Sequence, residues 1–166
     1  MIRIFPLLAI ALVMAGCGYS AGPTKRTAYA DVKKIYVPMI KNQTYEPNIQ
    51  AMLTDTLINR FNNDGTFETT SLADADAVLD VTLTMVERNP LRFATANSLV
   101  AQEYQLILRA DFVLKNKSGR ILNARSAEGI TTFFVSNDLI SSQRQALPLA
   151  GEKLADHIVS QIADAW

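Results

Sequence analysis

Apolar and polar residues repeat along this chain with two different periods, and each change of period marks a new element. Between Lys33 and Ile40, the residues Ile35, Val37 and Met39 recur at every second position, the period of a strand with one buried face. Pro38 has no amide donor and predicts an edge, a strand end or a bulge in that strand. Asn42-Gln43-Thr44-Tyr45-Glu46-Pro47 reads as a turn. From Asn48, a good capping residue, Ile49, Met52, Leu53, Leu57 and Phe61 take up the three- and four-residue spacing of a helix. Gly65 follows, where a glycine can supply the left-handed cap that ends it.

The period then returns to two. Thr66 to Thr70 is rich in strand formers and predicts a brief strand. Asp74 and Asp76 read as solvated turn carboxylates, because the glycine and distal glutamate of a calcium loop are not at the required spacing. Leu79, Val81, Leu83 and Met85 then alternate with Val78, Asp80, Thr82 and Thr84, a strand that Asn89-Pro90 should end, with residues 91–99 as a loop. The strongest alternation places Tyr104, Leu106, Leu108, Ala110, Phe112 and Leu114 on one face. A turn at 115–120 leads to a hairpin partner over 121–130, and a second loop follows Phe133-Phe134. Leu147, Ala150, Leu154, Ile158, Ile162 and Ala165 return to helical spacing, with the regular helix starting near Pro148 after an irregular turn from Ser141.

This order predicts an α+β fold: two helices packed on one face of a mixed, mostly antiparallel four- to five-stranded sheet. Two helices leave the other sheet face to water or to a partner. On the long strand that face presents Gln105, Ile107, Arg109, Asp111 and Val113, a mixture that suits a wet interface better than a dry core.

Ahead of the domain, Leu7 to Cys17 is an apolar run behind Arg3, too short to span a bilayer and matching a secretory leader. Met14-Ala15-Gly16-Cys17 resembles the bacterial lipobox, which implies removal of residues 1–16 as a signal peptide and acylation of Cys17. Residues 17–30 are then a lipidated N-terminus and tether, and 31–166 a single domain of a size that supports one core. Gly18, in place of an aspartate, implies sorting to the outer membrane. Cys17 is the only cysteine, so no intramolecular disulfide can form.

Charge changes the picture little in total and more in its distribution. The chain has 16 basic and 16 acidic side chains, and this balance does not suggest nucleic-acid binding. Seven acids and one base lie between Glu46 and Asp80, whereas seven bases and two acids lie between Arg88 and Arg125. The basic stretch is either a face for an anionic ligand or the usual charged guard of hairpin edges. Catalytic chemistry finds no foothold: GxSxG, HExxH, P-loop and SxxK patterns are absent, and the one histidine, His157, lies beside a helical apolar stripe. The chain therefore reads as a non-enzyme with no cofactor or metal, its only prosthetic group being the covalent lipid on Cys17.

Several stretches carry a family resemblance. The lipobox, Val37-Pro38 with the Asn42–Pro47 turn, Ala75-Asp76-Ala77-Val78-Leu79, and above all Ala101-Gln102-Glu103-Tyr104-Gln105-Leu106 resemble the LPS-assembly lipoprotein E (LptE) family. The resemblance implies an outer-membrane lipoprotein that plugs the lumen of a β-barrel partner, LPS-assembly protein D (LptD), helps it assemble and binds lipopolysaccharide during export. It implies a basic lipopolysaccharide contact some ten residues after a Phe-Phe pair, which here is Arg144 after Phe133-Phe134. The family's second basic contact precedes the Glu-Tyr-Gln strand; this chain has Asn97 and Ser98 there, and Arg92 is the nearby cation that would replace it. Ile107, Arg109 and Lys117 are the positions expected to face the barrel. The rival reading, another periplasmic adaptor lipoprotein that activates a peptidoglycan synthase, shares the Val-Pro strand end and the Asn-x-Thr turn.

Overall fold

The computed structural model describes residues 29, 31–93, 101–136 and 138–163. The expected leader, Cys17, Asn97, Ser98 and Ala165 lie outside the described residues. The element order is β1 (Lys34–Tyr36), β2 (Lys41–Asn42), α1 (Ile49–Asp64), β3 (Glu68–Thr69), β4 (Ala77–Phe93), β5 (Ala101–Asn116), β6 (Ile121–Phe134) and α2 (Leu139–Ala163). The sheet runs β3-β1-β4-β5-β6, with β2 also paired to β4, so it has six strands. The pairs β4/β5 and β5/β6 are antiparallel, and the short strands join in parallel. Both helices cover one face, as the apolar spacing predicts.

The sixth strand comes from Pro38. The strand expected over Lys33–Ile40 is cut short to β1, and β2 forms just past it at Lys41–Asn42, where the turn was expected to begin; the alternation shifts between them, with Ile35, Val37 and Ile40 buried while Met39 is exposed. Thr54 on α1 closes the gap, its hydroxyl accepting from the Ile40 amide at 2.9 Å and donating to the Gln50 carbonyl at 2.7 Å. Asn48 does not cap α1 with its side chain; it sits at φ 58°, and the first turn has no side-chain cap. Gly65 ends the helix as expected, at φ 74° with its amide bonded to the Phe61 carbonyl.

Two strand ends and one helix start differ from the sequence reading. β4 runs through Asn89-Pro90 to Phe93, because beyond Leu83 no strand among the described residues pairs with its outer side, and an edge tolerates the missing proline amide. A bulge between Leu83 and Met85 turns Met85 onto the face of Arg109 and brings Val86, opposite Leu108, to the core face. β6 extends from the expected Ile130 to Phe134. The helix α2 starts at Leu139 and not near Pro148, because Asp138 caps it: the Ser141 amide donates to the Asp138 carboxylate at 2.7 Å. That bond, seconded by the Ser141 hydroxyl, holds the Asp138 carboxyl below its usual range. Pro148 lies inside α2.

The core is one layer between helices and sheet. It includes Ile35, Leu57, Phe61, Leu79, Leu83, Leu108, Phe112, Leu154 and Ile158, and it reaches back to the fully buried Tyr29. The tightest approach is at Gly129 on β6. A β-carbon there would overlap the Ala150 carbonyl oxygen and fall 2.7 Å from Leu154 Cβ, so α2 can lie on β6 only because this residue has no side chain. On the far side of the helix, a β-carbon at Gly151 would meet Leu53 Cδ2 at 2.8 Å, which keeps α1 close to α2.

Asp76 is more than a solvated turn residue. Its carboxylate accepts from the amides of Lys33 and Lys34, both at 3.0 Å, while its own amide donates to the Lys34 carbonyl. Its carbonyl accepts from the Lys117 amide, so one residue ties β1, β4 and the β5–β6 turn together. The two amide bonds, Lys33 first, hold the Asp76 carboxyl below the ordinary 3.8.

Two outcomes follow from these contacts. Gly129→Ala forces a methyl group against helix backbone that cannot swing aside, and should cost on the order of 1–3 kcal/mol in urea unfolding; an unchanged midpoint would contradict the close approach. Asp76 contributes stability that is present above pH 3.8 and is lost as pH falls through its lower folded-state value. Asp76→Asn should therefore be less stable than the parent at neutral pH, with the gap closing below pH 3.8 in acid-unfolding curves.

Candidate functional site

The sheet face away from the helices is built by three strands in a fixed register. Arg109 stands between Met85 and Glu128, Ile107 between Glu87 and Ile130, and Asp111 between Thr82 and Ser126. Burial alternates along β5 as the sequence predicts: Leu106, Leu108, Ala110, Phe112 and Leu114 are inside, while Arg109 and Asp111 are exposed and Gln105, Ile107 and Val113 are half-buried.

Cross-strand pairs neutralise much of this face. Arg109 forms an ion pair with Glu128 through its Nε and Nη2 groups. Lys115 Nζ lies 2.9 Å from the Asp80 carboxylate, and the Ser126 hydroxyl donates to Asp111 at 2.6 Å. These groups are partly exposed, so each pair contributes little to stability on its own. Their effect is to hold long side chains in defined positions on an otherwise mixed surface. The pairing of Glu128 with Arg109 could not be read from the chain, because it depends on β6 register; the alternation could.

Beyond the helices the β4–β5 hairpin continues. Leu91, Arg92 and Phe93 are exposed, and Leu91 and Phe93 present large apolar surface there. Arg92 lies in this stretch, 3.5 Å from Glu103. Lys117 lies at the opposite end, in the β5–β6 turn, lining a shallow cavity of about 320 Å³ with Asp31, Asp76 and Arg120. Ile107 and Arg109 are thus brought together on the face, whereas Lys117 is set apart at the pole nearest the start of the domain.

Arg144 is on neither the open face nor the hairpin. It sits on α2 in a cleft of about 340 Å³ between the two helix starts, with Glu46, Ile49, Met52 and Leu147. It is exposed and forms no ion pair among the described residues. The neighbouring Gln143 is buried and donates to the Glu46 carboxylate at 2.7 Å, which fixes the Asn42–Pro47 turn against α2. That turn is itself stapled by Asn42, whose carboxamide oxygen accepts from the amide and hydroxyl of Thr44. No contact joins Arg144 to Arg92. Among the described residues no group of three or more His, Cys, Asp or Glu side chains could hold a metal, and no helix is long and apolar enough to cross a membrane.

Such an arrangement defines a class of protein: an α+β domain whose two helices close one face of a sheet and leave a charged, ordered face open for contact. Within that class the chain belongs to the LptE family, described as lipopolysaccharide-assembly, which it matches over residues 32–162. Solved structures share the fold at low identity. A minor lipoprotein from Acinetobacter baumannii is 17% identical with a TM-score of 0.53, over 80% of this chain and 92% of that one. The rare lipoprotein B from Shewanella oneidensis is 15% identical with a TM-score of 0.52, over 80% and 95%. PelC from Paraburkholderia phytofirmans, solved as a dodecamer, is 14% identical with a TM-score of 0.52, over 86% and 95%. These likenesses concern the fold alone. The comparison with curated proteins returned no match.

Proposed function

We propose that this chain is an outer-membrane lipoprotein, anchored through an acylated Cys17, that plugs the lumen of the LptD barrel and binds lipopolysaccharide during its export. The observation that carries the plug reading is the open face of the sheet. Its side chains are mixed in character, its charges at Arg109, Glu128, Lys115 and Asp80 are already paired, and it is not covered by either helix. The lumen of an outer-membrane barrel is polar and can be filled by protein, and a surface whose charges bring their own partners enters it at a lower desolvation cost. Family membership supports the link to lipopolysaccharide assembly. Lys117 and Asp31 lie together at the pole where the described domain starts, and the Arg92 hairpin lies at the other end of the long strands.

Arg144 is the cation we assign to lipopolysaccharide. It is exposed, within the field of Asp138 but in no ion pair among the described residues, and beside an apolar step of Ile49, Met52 and Leu147, which suits a phosphate carried on an acylated sugar. Arg92 is the auxiliary cation, weakened by its neighbour Glu103.

Photo-crosslinkers at Ile107 and Arg109 should capture the barrel in cells, and Lys117 should do so at the lumen's periplasmic rim, with intact mass of the purified chain reporting acyl addition at Cys17. If none of the three captures the barrel while the protein is folded and at the outer membrane, the plug reading fails; recovery of an inner-membrane peptidoglycan synthase would favour the adaptor reading. Arg144→Asp should weaken lipopolysaccharide binding by the value of a charge-assisted hydrogen bond, about 1.5–3 kcal/mol, with unfolding unchanged. Equal binding by the folded variant would remove Arg144 from the site.

A further inference from the structure

The outer edge of β6 is guarded along only part of its length. Among the described residues no strand pairs with β6 on the side away from β5, so its outward amides and carbonyls need other partners. Two of them have partners on α2. The His157 Nδ1 group donates to the Glu128 carbonyl at 2.6 Å, and the Gln161 side-chain amide donates to the Ser126 carbonyl at 3.2 Å. His157 and Gln161 are four residues apart, one turn of helix, and Ser126 and Glu128 are two apart, one repeat of strand; the two periods match at the edge.

The same period fixes which groups lie further along. Carbonyls at 126 and 128 point outward, so the backbone groups of Ile130, Thr132 and Phe134 point outward too. The inward set is marked independently, since the Val135 amide donates to the Gln102 carbonyl of the β5 side. No hydrogen bond among the described residues reaches the outward groups of 130, 132 and 134. The side chains there belong to the open face: Ile130 is 41% exposed and Phe134 62%, with Thr132 exposed between them. From Gly129 to Ser136 there is no charge and no proline, and the register with β5 is regular, so the strand carries none of the charges, prolines or bulges that blunt an edge.

We infer that the edge of β6 from Ile130 to Phe134 is a docking strand, which takes one extended, uncharged backbone segment from the protein that covers the open face. The inference rests on the reading that a protein partner meets that face. Five residues span only about 17 Å, too little for a stable interface between two copies of this chain. For a partner already seated over Ile107 and Arg109, the edge is a continuation of the same surface, since Ile130 stands beside Ile107 in the register. Pairing there supplies main-chain hydrogen bonds for affinity, while Ile130 and Phe134 supply the side-chain fit.

The test is Thr132→Pro. Its amide points outward, so proline removes a donor to the partner without taking a rung from the β5–β6 ladder, and edge strands tolerate it. Thr132→Val keeps the amide and serves as the control. Thr132→Pro, unfolding at an unchanged midpoint, should co-purify at least tenfold less of the outer-membrane barrel, whereas Thr132→Val should match the parent. Single-residue hydrogen exchange on the unaltered protein asks the same without a variant: amides at 130, 132 and 134 should exchange fast when free and slowly in the complex, and those at 131 and 133 slowly in both. Fast exchange at 130, 132 and 134 in the complex overturns the inference, as does full recovery of the barrel by Thr132→Pro. If that occurs while Ile107 and Arg109 still crosslink to the barrel, the docking strand is lost and the plug reading stands. If the parent itself crosslinks to no barrel, it is the plug reading that has failed. A dimer of this chain that Thr132→Pro abolishes would assign the edge to a second copy and overturn the inference as well.

Discussion

The approach of α2 to β6 at Gly129 is the contact on which the rest of the architecture depends. A helix lying on a sheet normally keeps a side-chain layer between the two backbones. Here the Ala150 carbonyl and the Leu154 backbone occupy the space where a β-carbon would be. With α2 held this close, Gly151 can sit against Leu53 of α1, and the two helices fill one face of the sheet as a pair. The same closeness brings His157 and Gln161 within hydrogen-bonding distance of the β6 edge. Helix position, core thickness and edge protection thus follow from one missing side chain.

A fold closed on one side divides the work of its residues. The covered face carries the stability, with Leu79, Leu83, Leu106, Leu108, Phe112 and Leu114 interleaved under Leu154 and Ile158. The open face is left to chemistry that tolerates water, and its charges are arranged in pairs across strands. A domain built this way can alter its contact surface without touching its core, because alternate residues of each strand belong to different environments. Arg144 stands outside this division, in a cleft between helix starts that Asp138, Gln143 and the Asn42 turn shape together.

The irregularities are where local rules met a longer-range constraint. Pro38 cut the expected strand short and a second short strand formed beyond it, and Thr54 from α1 accepts the Ile40 amide between the two. Pro90 did not end β4, because that part of the strand is an edge and its amide is not required. Asp138 started α2 well before Pro148, since a good cap in front of a run of helix formers outweighs one interior proline. The bulge at Thr84 exchanged Met85 for Val86 on the core face, an exchange invisible in the alternation of apolar residues because both are apolar.

By itself the amino-acid sequence determined the α+β class, the two helices on one sheet face, the buried row from Leu106 to Leu114 and the opposite, open-face row that includes Ile107 and Arg109. All of these are properties of period, and period is local: residues i and i+2, or i and i+4, share a face whatever the rest of the chain does. Motifs along the chain also carried the resemblance to the family that the chain proved to join. Only the tertiary structure decided that Arg109 meets Glu128, that Asp76 joins three segments, that Lys117 is set apart from Ile107 and Arg109, and that Arg144 and Arg92 share no contact. It alone decided which part of the β6 edge α2 guards. Those facts depend on strand register and helix placement, which are set by contacts between residues distant in the chain, and a glycine at position 129 has no local signature that says a helix will rest upon it.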